Sequence, residues 1–359
     1  MLEFINAELA ALKAAGLYRE LRTIDRATHK IFCSNDYLGL SRHPLVREKA
    51  KSAIDEYGLG AGASRLISGN TPLHEELEKK IAAFEKREAA LVFPTGYMAN
   101  LGTISALVGE HDTVIIDRLD HASIIDACRL SKAKLQVYPH KDAAALEEIL
   151  KKAAKSRRRL IVTDTVFSMD GDLAPLPELS RLAKRYDAIL MTDDAHATGV
   201  LEFNNPADVV MGTLSKAVGS LGGFVAGSAE LIDYLRNKAR SFIYTTALPP
   251  AVCAASLAAL AIIEAQPELR QKLWDNIRLL SPRAESSVIP LVIGDAAETL
   301  RLSAELFDRG FFVSGIRPPT VPAGGSRLRI TITAAHTKEE IECLASLLRE
   351  LTPAAAKLT

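Results

Sequence analysis

Residues 212–224 read GTLSKAVGSLGGF, placing Lys216 among small residues and four glycines. Lysine normally keeps its ammonium in water and is seldom buried unless it is paired. Glycines mark places where a backbone approaches a ligand or another segment closely. Three further stretches carry reactive side chains: RLDHAS (118–123) with His121, VFSMDGD (166–172) with Ser168, and DDAHATG (193–199) with Asp193 and His196. A fourth, PTGYMAN (94–100), puts Gly96 in a small-residue turn. Taken singly, each has an ordinary reading: a solvated surface lysine, a structural histidine, a tight turn. The Asp–His pair suggests a hydrolase, but no GxSxG turn supplies a nucleophile. A metal site fits poorly, because the histidines are scattered and lack HExxH spacing. The four cysteines, Cys33, Cys128, Cys253 and Cys343, form no CxxC pair, which suits reduced thiols and neither a disulfide scaffold nor structural zinc.

The elements around these residues decide what they do together. From about residue 75, short β-rich runs alternate with helical periods. The expected strands are ALVF (90–93), TVIID (113–117), KLQVY (134–138), RLIVTD (159–164), AILMTD (188–193), DVVMG (208–212) and GFVAG (223–227). Helical periods are expected over 73–86, 121–131 and 176–186. The alternation predicts an α/β fold with a mostly parallel, buried sheet. Ligands of such sheets lie at the carboxyl ends of the strands. His121, Ser168, Asp193 and Lys216 all follow strands, and Gly96 sits between a strand and a helix N-terminus.

Combined, these residues suit pyridoxal phosphate. A helix N-terminus with a glycine turn receives a phosphate. A lysine forms a Schiff base with the aldehyde, a carboxylate keeps the pyridinium nitrogen protonated, and an imidazole covers the ring. A nucleotide-dependent dehydrogenase is not supported, because no GxGxxG follows a first strand with an acidic residue at the right distance.

Past residue 265 three strands, SSVIPLVIG (286–294), FFVSGI (311–316) and RLRITIT (327–333), alternate with helices, the last being 338–351. This predicts a smaller α+β unit. The expected organisation is an N-terminal helix and arm (1–44), a large cofactor-binding domain (45–248) and a small C-terminal domain (249–359). In RLRITIT, Leu328, Ile330 and Ile332 share one face and Arg327, Arg329, Thr331 and Thr333 the other. The period alone places the polar face toward water.

The 359 residues are 48% hydrophobic with 44 basic and 44 acidic side chains, so no net field draws nucleic acid or an anionic membrane. The N-terminal stretch reads as an amphipathic helix and not a signal peptide. AVCAASLAALAII (251–263) is too short to span a bilayer and reads as a buried helix after Pro249 and Pro250. A cytoplasmic location is expected. The basic run KKAAKSRRR (151–159) suits the phosphates of coenzyme A or an acidic carrier protein, or simply a solvated helix end.

The chain resembles the α-oxoamine synthases, fold-type-I pyridoxal-phosphate enzymes, from SNDYLGLSRHP (34–44) through GAGASRLISGNTPLHEELE (60–78) to the C-terminal strands. The resemblance implies a large domain with a seven-stranded, mostly parallel sheet and a smaller α+β domain. It implies an acyltransferase that condenses an amino acid with an acyl thioester and releases carbon dioxide. The stretch IRPPTVPAGGSRLRITITAAH (316–336) is the more selective part. It resembles members that join L-alanine to a pimeloyl thioester, on coenzyme A or acyl carrier protein, in biotin synthesis. Glycine with acetyl-coenzyme A is the alternative.

By the same resemblance, Lys216 is the Schiff-base lysine, Asp193 the ring-nitrogen partner and His121 the stacking residue. His196 and Ser168 lie near the ring hydroxyl. Gly96, Tyr97 and Thr213 hold the phosphate, and Thr245 or Thr246 reaches the phosphate of a second subunit in a homodimer with shared sites. Asn35 and Arg329 meet the substrate carboxylate, and Thr320 lies near cofactor and acyl group. The sequence departs from the family in GVLEFNNPADVVMGTLSK (199–216), which is short, and before SSVIPLVIG, which looks trimmed.

Overall fold

The structure, a computed structural model, describes residues 2–25 and 27–358. Twelve strands are present among them: β1 (Lys30–Ile31), β2 (Ala89–Phe93), β3 (Thr113–Asp117), β4 (Lys134–Tyr138), β5 (Arg159–Asp164), β6 (Ile189–Asp193), β7 (Val209–Thr213), β8 (Gly223–Gly227), β9 (Val288–Gly294), β10 (Phe311–Phe312), β11 (Ser314–Ile316) and β12 (Ser326–Thr331). Seven form one sheet in the order β2-β8-β7-β6-β5-β3-β4. Strand β8 runs antiparallel to both neighbours, and the remaining pairings are parallel.

The central strands read as unbroken apolar runs because both faces of the sheet are covered. Val114, Leu160, Val162 and Met191 pack on one side, with Ile124 and Cys128 of the helix Ala122–Ser131. Ile115, Ile161 and Leu190 pack on the other, against Leu146 and Leu179. The helix Pro250–Ala265 starts on a proline and is buried along most of its length, as its alanine-rich sequence implied. Among the described residues no single helix is long and apolar enough to cross a membrane.

A three-stranded sheet, β11-β12-β9, carries the C-terminal part. The expected strand FFVSGI divides in two. Phe311–Phe312 pairs in parallel with Lys30–Ile31, whereas Ser314–Ile316 pairs antiparallel with Arg327–Arg329. Val313, fully buried between them, is where the chain passes from one partner to the other. The N-terminal arm is thereby tied to the C-terminal unit, a pairing its sequence did not announce.

The polar face of the strand 327–333, which the period alone turns to water and the resemblance turns toward the site, is buried. Arg327, Arg329, Thr331 and Thr333 are all buried, as are Leu328, Ile330 and Ile332. Each polar group finds a partner: Arg327 reaches Asp170 Oδ1 at 2.6 Å and the Met169 carbonyl, and Thr331 donates to the Ser34 carbonyl at 2.7 Å. Alternation cannot tell water from a polar interface; the covering segments, 34–37 and 168–170, come from far along the chain.

The basic run at 151–159 is largely engaged in structure. Arg157 makes a two-pronged contact with the buried Asp112 (3.0 and 2.8 Å), Arg158 caps the Leu107 carbonyl, and Arg159 holds the Asp187 carbonyl.

Candidate active site

At the carboxyl edge of the large sheet a cleft of about 170 Å³ opens between the ends of β5, β6 and β7 and two helix N-termini. Its walls carry Gly96, Tyr97, His121 and Ser168, together with Asp193, His196, Thr213 and Lys216. Eight sequence-predicted residues thus meet in one place. The pairing register explains this, since Asp164 lies opposite Asp193 and Asp193 opposite Met211, so successive strands end side by side.

Phe93 ends β2 and Thr95 caps the helix Gly96–Leu107, its hydroxyl accepting from Met98 N at 3.1 Å. The first N–H groups of that helix have no partner inside it and carry its positive dipole end. A Cβ on Gly96 would stand 3.0 Å from Met211 Cε, and one on Gly223 would stand 2.6 Å from the Gly96 Cα and N. The turn therefore exists because two glycines pass each other. Gly223→Ala is expected to cost about 2–3 kcal/mol, since backbone stands in the way and no side chain can yield; a urea or thermal melt measures it. Thr213 faces this turn, but its hydroxyl donates to the Gly222 carbonyl at 2.8 Å.

Asp193 is buried at the end of β6. Its Oδ2 accepts from Asn100 Nδ2 at 2.7 Å and its Oδ1 from Ala195 N at 2.9 Å. Asn100, one helical turn beyond Gly96, also donates to Ser123 Oγ at 2.9 Å. Sequence reasoning missed Asn100, although an asparagine on the buried side of an apolar helix was a signal. Asp164, at the end of β5, is also buried; its Oδ2 accepts the His121 N–H at 3.0 Å. Burial, then the charges of Asp193 and Asp120, hold the Asp164 carboxyl well above the ordinary range.

His121 is the N-cap of the helix Ala122–Ser131, its Nδ1 engaged with Ser123 Oγ at 2.8 Å. One side of the residue stays open at the cleft mouth. Desolvation of the other side lowers its pKa, with Asp193 opposing. His196 is buried, and its Nδ1 meets the Tyr37 hydroxyl at 2.6 Å. Burial, reinforced by Lys216 and Arg329, pushes its pKa well below the usual value and keeps it neutral. Tyr37, in the SNDYLGL stretch, also donates to Asn35 Oδ1 at 3.1 Å. It is a second contributor that composition did not reveal.

Lys216 follows β7 and is half-buried. Burial brings its pKa down to about 8; Asp193 and Asp164 oppose this and Arg329 adds to it. An amine so placed loses its proton far more readily than a surface lysine. Above it lies Arg329, whose Nε donates to the Ser168 carbonyl at 2.6 Å and whose two terminal nitrogens each stand 3.3 Å from Asn35 Oδ1.

Five predicted residues are not in the cleft wall: Arg329 and Asn35 adjoin it through Ser168, and three lie elsewhere. Thr245 and Thr246 line a separate small pocket with Arg65 and His74. Thr320 is exposed, and its hydroxyl accepts from Arg19 of the N-terminal arm at 3.2 Å.

The residues present fit pyridoxal phosphate. A buried carboxylate held by one amide and one backbone N–H, with no ion pair among the described residues, calls for a cationic N–H such as a pyridinium. The lysine of lowered pKa stands across the same cleft from the glycine-lined helix end.

The aminotransferase class I and II family model matches residues 30–348. The chain belongs to that family. Within it, 8-amino-7-oxononanoate synthase of Citrifermentans bemidjiense is 48% identical over 377 residues, covering 96% of this chain and 97% of its own. The enzyme of that name from Bacillus pumilus is 46% identical, covering 97% and 96%. Among solved structures of this aminotransferase fold, serine palmitoyltransferase of S. paucimobilis, with a pyridoxal-phosphate adduct of myriocin, has TM-score 0.91 and 29% identity over 99% and 98% of the two chains. An 8-amino-7-oxononanoate synthase from Francisella tularensis has TM-score 0.77 and 28% identity, covering 90% and 98%. Since 96% of 359 residues is about 345, about 32 of the 377 positions matched to the C. bemidjiense enzyme have no counterpart in this chain.

Proposed function

We propose that this chain is a pyridoxal-phosphate-dependent acyltransferase that condenses L-alanine with a pimeloyl thioester. The products are 8-amino-7-oxononanoate, carbon dioxide and the free thiol carrier, a step of biotin biosynthesis. The observation that carries the reading is the meeting of Lys216, Asp193 and His121 around one cleft, with Arg329 bonded to the carbonyl of Ser168 in its wall, in a chain 48% identical to a synthase of that name.

Pyridoxal phosphate, when bound, supplies an electron sink for the charge left on the substrate carbon. The chain's residues do the rest. The Lys216 amine, whose pKa burial lowers, would hold the cofactor's aldehyde, and as a free amine it would be the base for the alanine Cα proton. Asp193, steadied by Asn100 and Ala195 N, would accept the ring N–H. His121 would cover the ring, and His196 and Ser168 would lie near the ring hydroxyl.

Gly96 and Tyr97 offer backbone N–H groups to the phosphate, and Thr213 joins them once its hydroxyl turns from the Gly222 carbonyl. Arg329 and Asn35 hold the alanine carboxylate and present it for loss as carbon dioxide. Thr320 borders the acyl group. Thr245 and Thr246 serve the second subunit of a homodimer, which accounts for their place outside this chain's own cleft. The enzyme works in the cytoplasm.

Arg329→Lys is expected to raise KM for alanine about 30-fold with a smaller change in kcat, because a single ammonium cannot reproduce the guanidinium fork. Steady-state kinetics with varied alanine measures it. The function is tested by alanine-dependent release of carbon dioxide from pimeloyl-coenzyme A and from pimeloyl-acyl carrier protein, with glycine and acetyl-coenzyme A in parallel. Turnover with alanine and either pimeloyl donor supports the reading. Turnover with glycine and acetyl-coenzyme A alone would replace it by a glycine C-acetyltransferase.

A further inference from the structure

The short connection from β6 to β7, residues 194–208, passes over the back of the strand end that carries Asp193. One of its side chains makes an unusual set of contacts. Asn205 Nδ2 donates to Thr192 Oγ1 and to Asp194 Oδ2, both at 2.8 Å. Its Oδ1 accepts from Ala207 N at 2.9 Å, and its carbonyl accepts from Arg87 Nη2 at 2.7 Å. Thr192 and Asp194 are the two neighbours of Asp193, and both are buried. In extended chain, flanking side chains point to the face opposite the residue between them. A single amide bonded to both therefore fixes the pleat at Asp193 from behind and aims its carboxylate into the cleft.

Backbone bonds hold the same turn, Asp194 N to the Met211 carbonyl at 2.7 Å and Ala197 N to the Asp194 carbonyl at 2.8 Å, but among the described residues the Asn205 amide is the side chain that bonds to both neighbours of Asp193. Behind Asp194 lies a groove of about 680 Å³, bordered by Glu85, Arg87 and Asn205. Besides Asn205 and Thr192, Asp194 takes a side-chain hydrogen bond from the Thr165 hydroxyl. Glu85 Oε1 is buried with no hydrogen-bond partner among the described residues, and burial together with the nearby Asp194 raises its pKa to about 8. The resemblance marks this connection as short for the family.

We infer that Asn205 is a positioning residue: it braces Thr192 and Asp194 across the shortened connection and so holds Asp193 against the cofactor ring. The inference rests on the proposed role of Asp193 as ring-nitrogen partner. Asn205→Asp is the discriminating variant. It keeps the oxygen that caps Ala207 N but loses both donated bonds and sets a carboxylate against Asp194.

The experiment follows purified holoenzyme by visible absorbance, reading the pH midpoint of the lysine-bound cofactor and its rate of release on dilution. Asn205→Asp and Asn205→Ala are expected to release cofactor about tenfold faster, the size of a lost hydrogen bond to a charged group. They should also move the midpoint to higher pH, because a ring nitrogen less firmly protonated withdraws less charge from the lysine nitrogen. Thr192→Val, which removes the hydroxyl without changing shape, should move both in the same direction and carries the test if the Asn205 variants do not fold. Asn204→Ala, on the exposed part of the same connection, should change neither.

A wild-type midpoint and release rate in Asn205→Asp would overturn the inference and leave Asn205 a loop cap. Faster release with an unmoved midpoint would overturn it too, as a general loss of stability. Lys216→Ala separates the two levels. If it kept the lysine-bound band, the proposed function would fail; if it lost the band while Asn205→Asp matched wild type, only the bracing role would fall.

Discussion

Lys216→Ala is expected to lower turnover by about 10³-fold or more, the upper part of the range for removing a positioned acid–base group, with the covalent step lost as well. The visible band of lysine-bound cofactor should vanish, while Tm stays within about 2 °C of wild type. The stability expectation follows from the site: among the described residues the Lys216 amine has no hydrogen-bond partner in the fold, and burial already works against its charge. A lysine kept for stability would show the reverse, a lowered Tm with activity nearly intact. The same environment sets the pH response. With a pKa near 8, the free amine is fully protonated well below that pH and becomes nucleophilic as pH rises through it. Reaction of cofactor-free protein with added pyridoxal phosphate, followed by absorbance, should therefore accelerate from pH 6 to about 9 and level off.

Asp193→Asn should lower turnover by about 10²–10³-fold with little change in fold, since the amide is isosteric and its oxygen can still accept from Asn100. The loss comes from charge. A neutral amide no longer holds a proton on the ring nitrogen, so the ring accepts electrons less well. A second effect has a definite sign. Asp193 favours protonated Lys216 and protonated His121, so its removal lowers both pKa values further. The rise in the rate of cofactor attachment should then begin at lower pH than in wild type. Steady-state kinetics and the pH dependence of attachment together check both parts. A variant with wild-type turnover would remove Asp193 from the ring-nitrogen role.

What the sequence disclosed follows from how local each signal was. Buried parallel strands announce themselves as apolar runs, and the residues after them at the carboxyl edge are named by position alone. This is why Lys216, Asp193, His121, Ser168 and Gly96 could be placed together before any coordinates. The resemblance named Arg329 as a site residue, but the strand's period alone gives no sign of its burial, because the face it occupies is closed by Asn35 and by the Ser168 carbonyl, both remote in sequence. Asn100 and Tyr37 support Asp193 and His196 from behind, and a supporting contact leaves no mark on periodicity. Asn205 looked like part of a trimmed connection. Only the packing of that connection against the end of β6 reveals a bond to each neighbour of Asp193. The division of FFVSGI into two strands was hidden for a similar reason, since its first partner is the arm at Lys30–Ile31.

The most direct measurement is to reduce the purified holoenzyme with borohydride, digest it and locate the modified lysine by mass spectrometry. The account predicts the pyridoxyl-phosphate mass on the peptide containing Lys216 and nowhere else, with the modification absent in Lys216→Ala. A label on a different lysine, or none in protein that binds the cofactor, would contradict it.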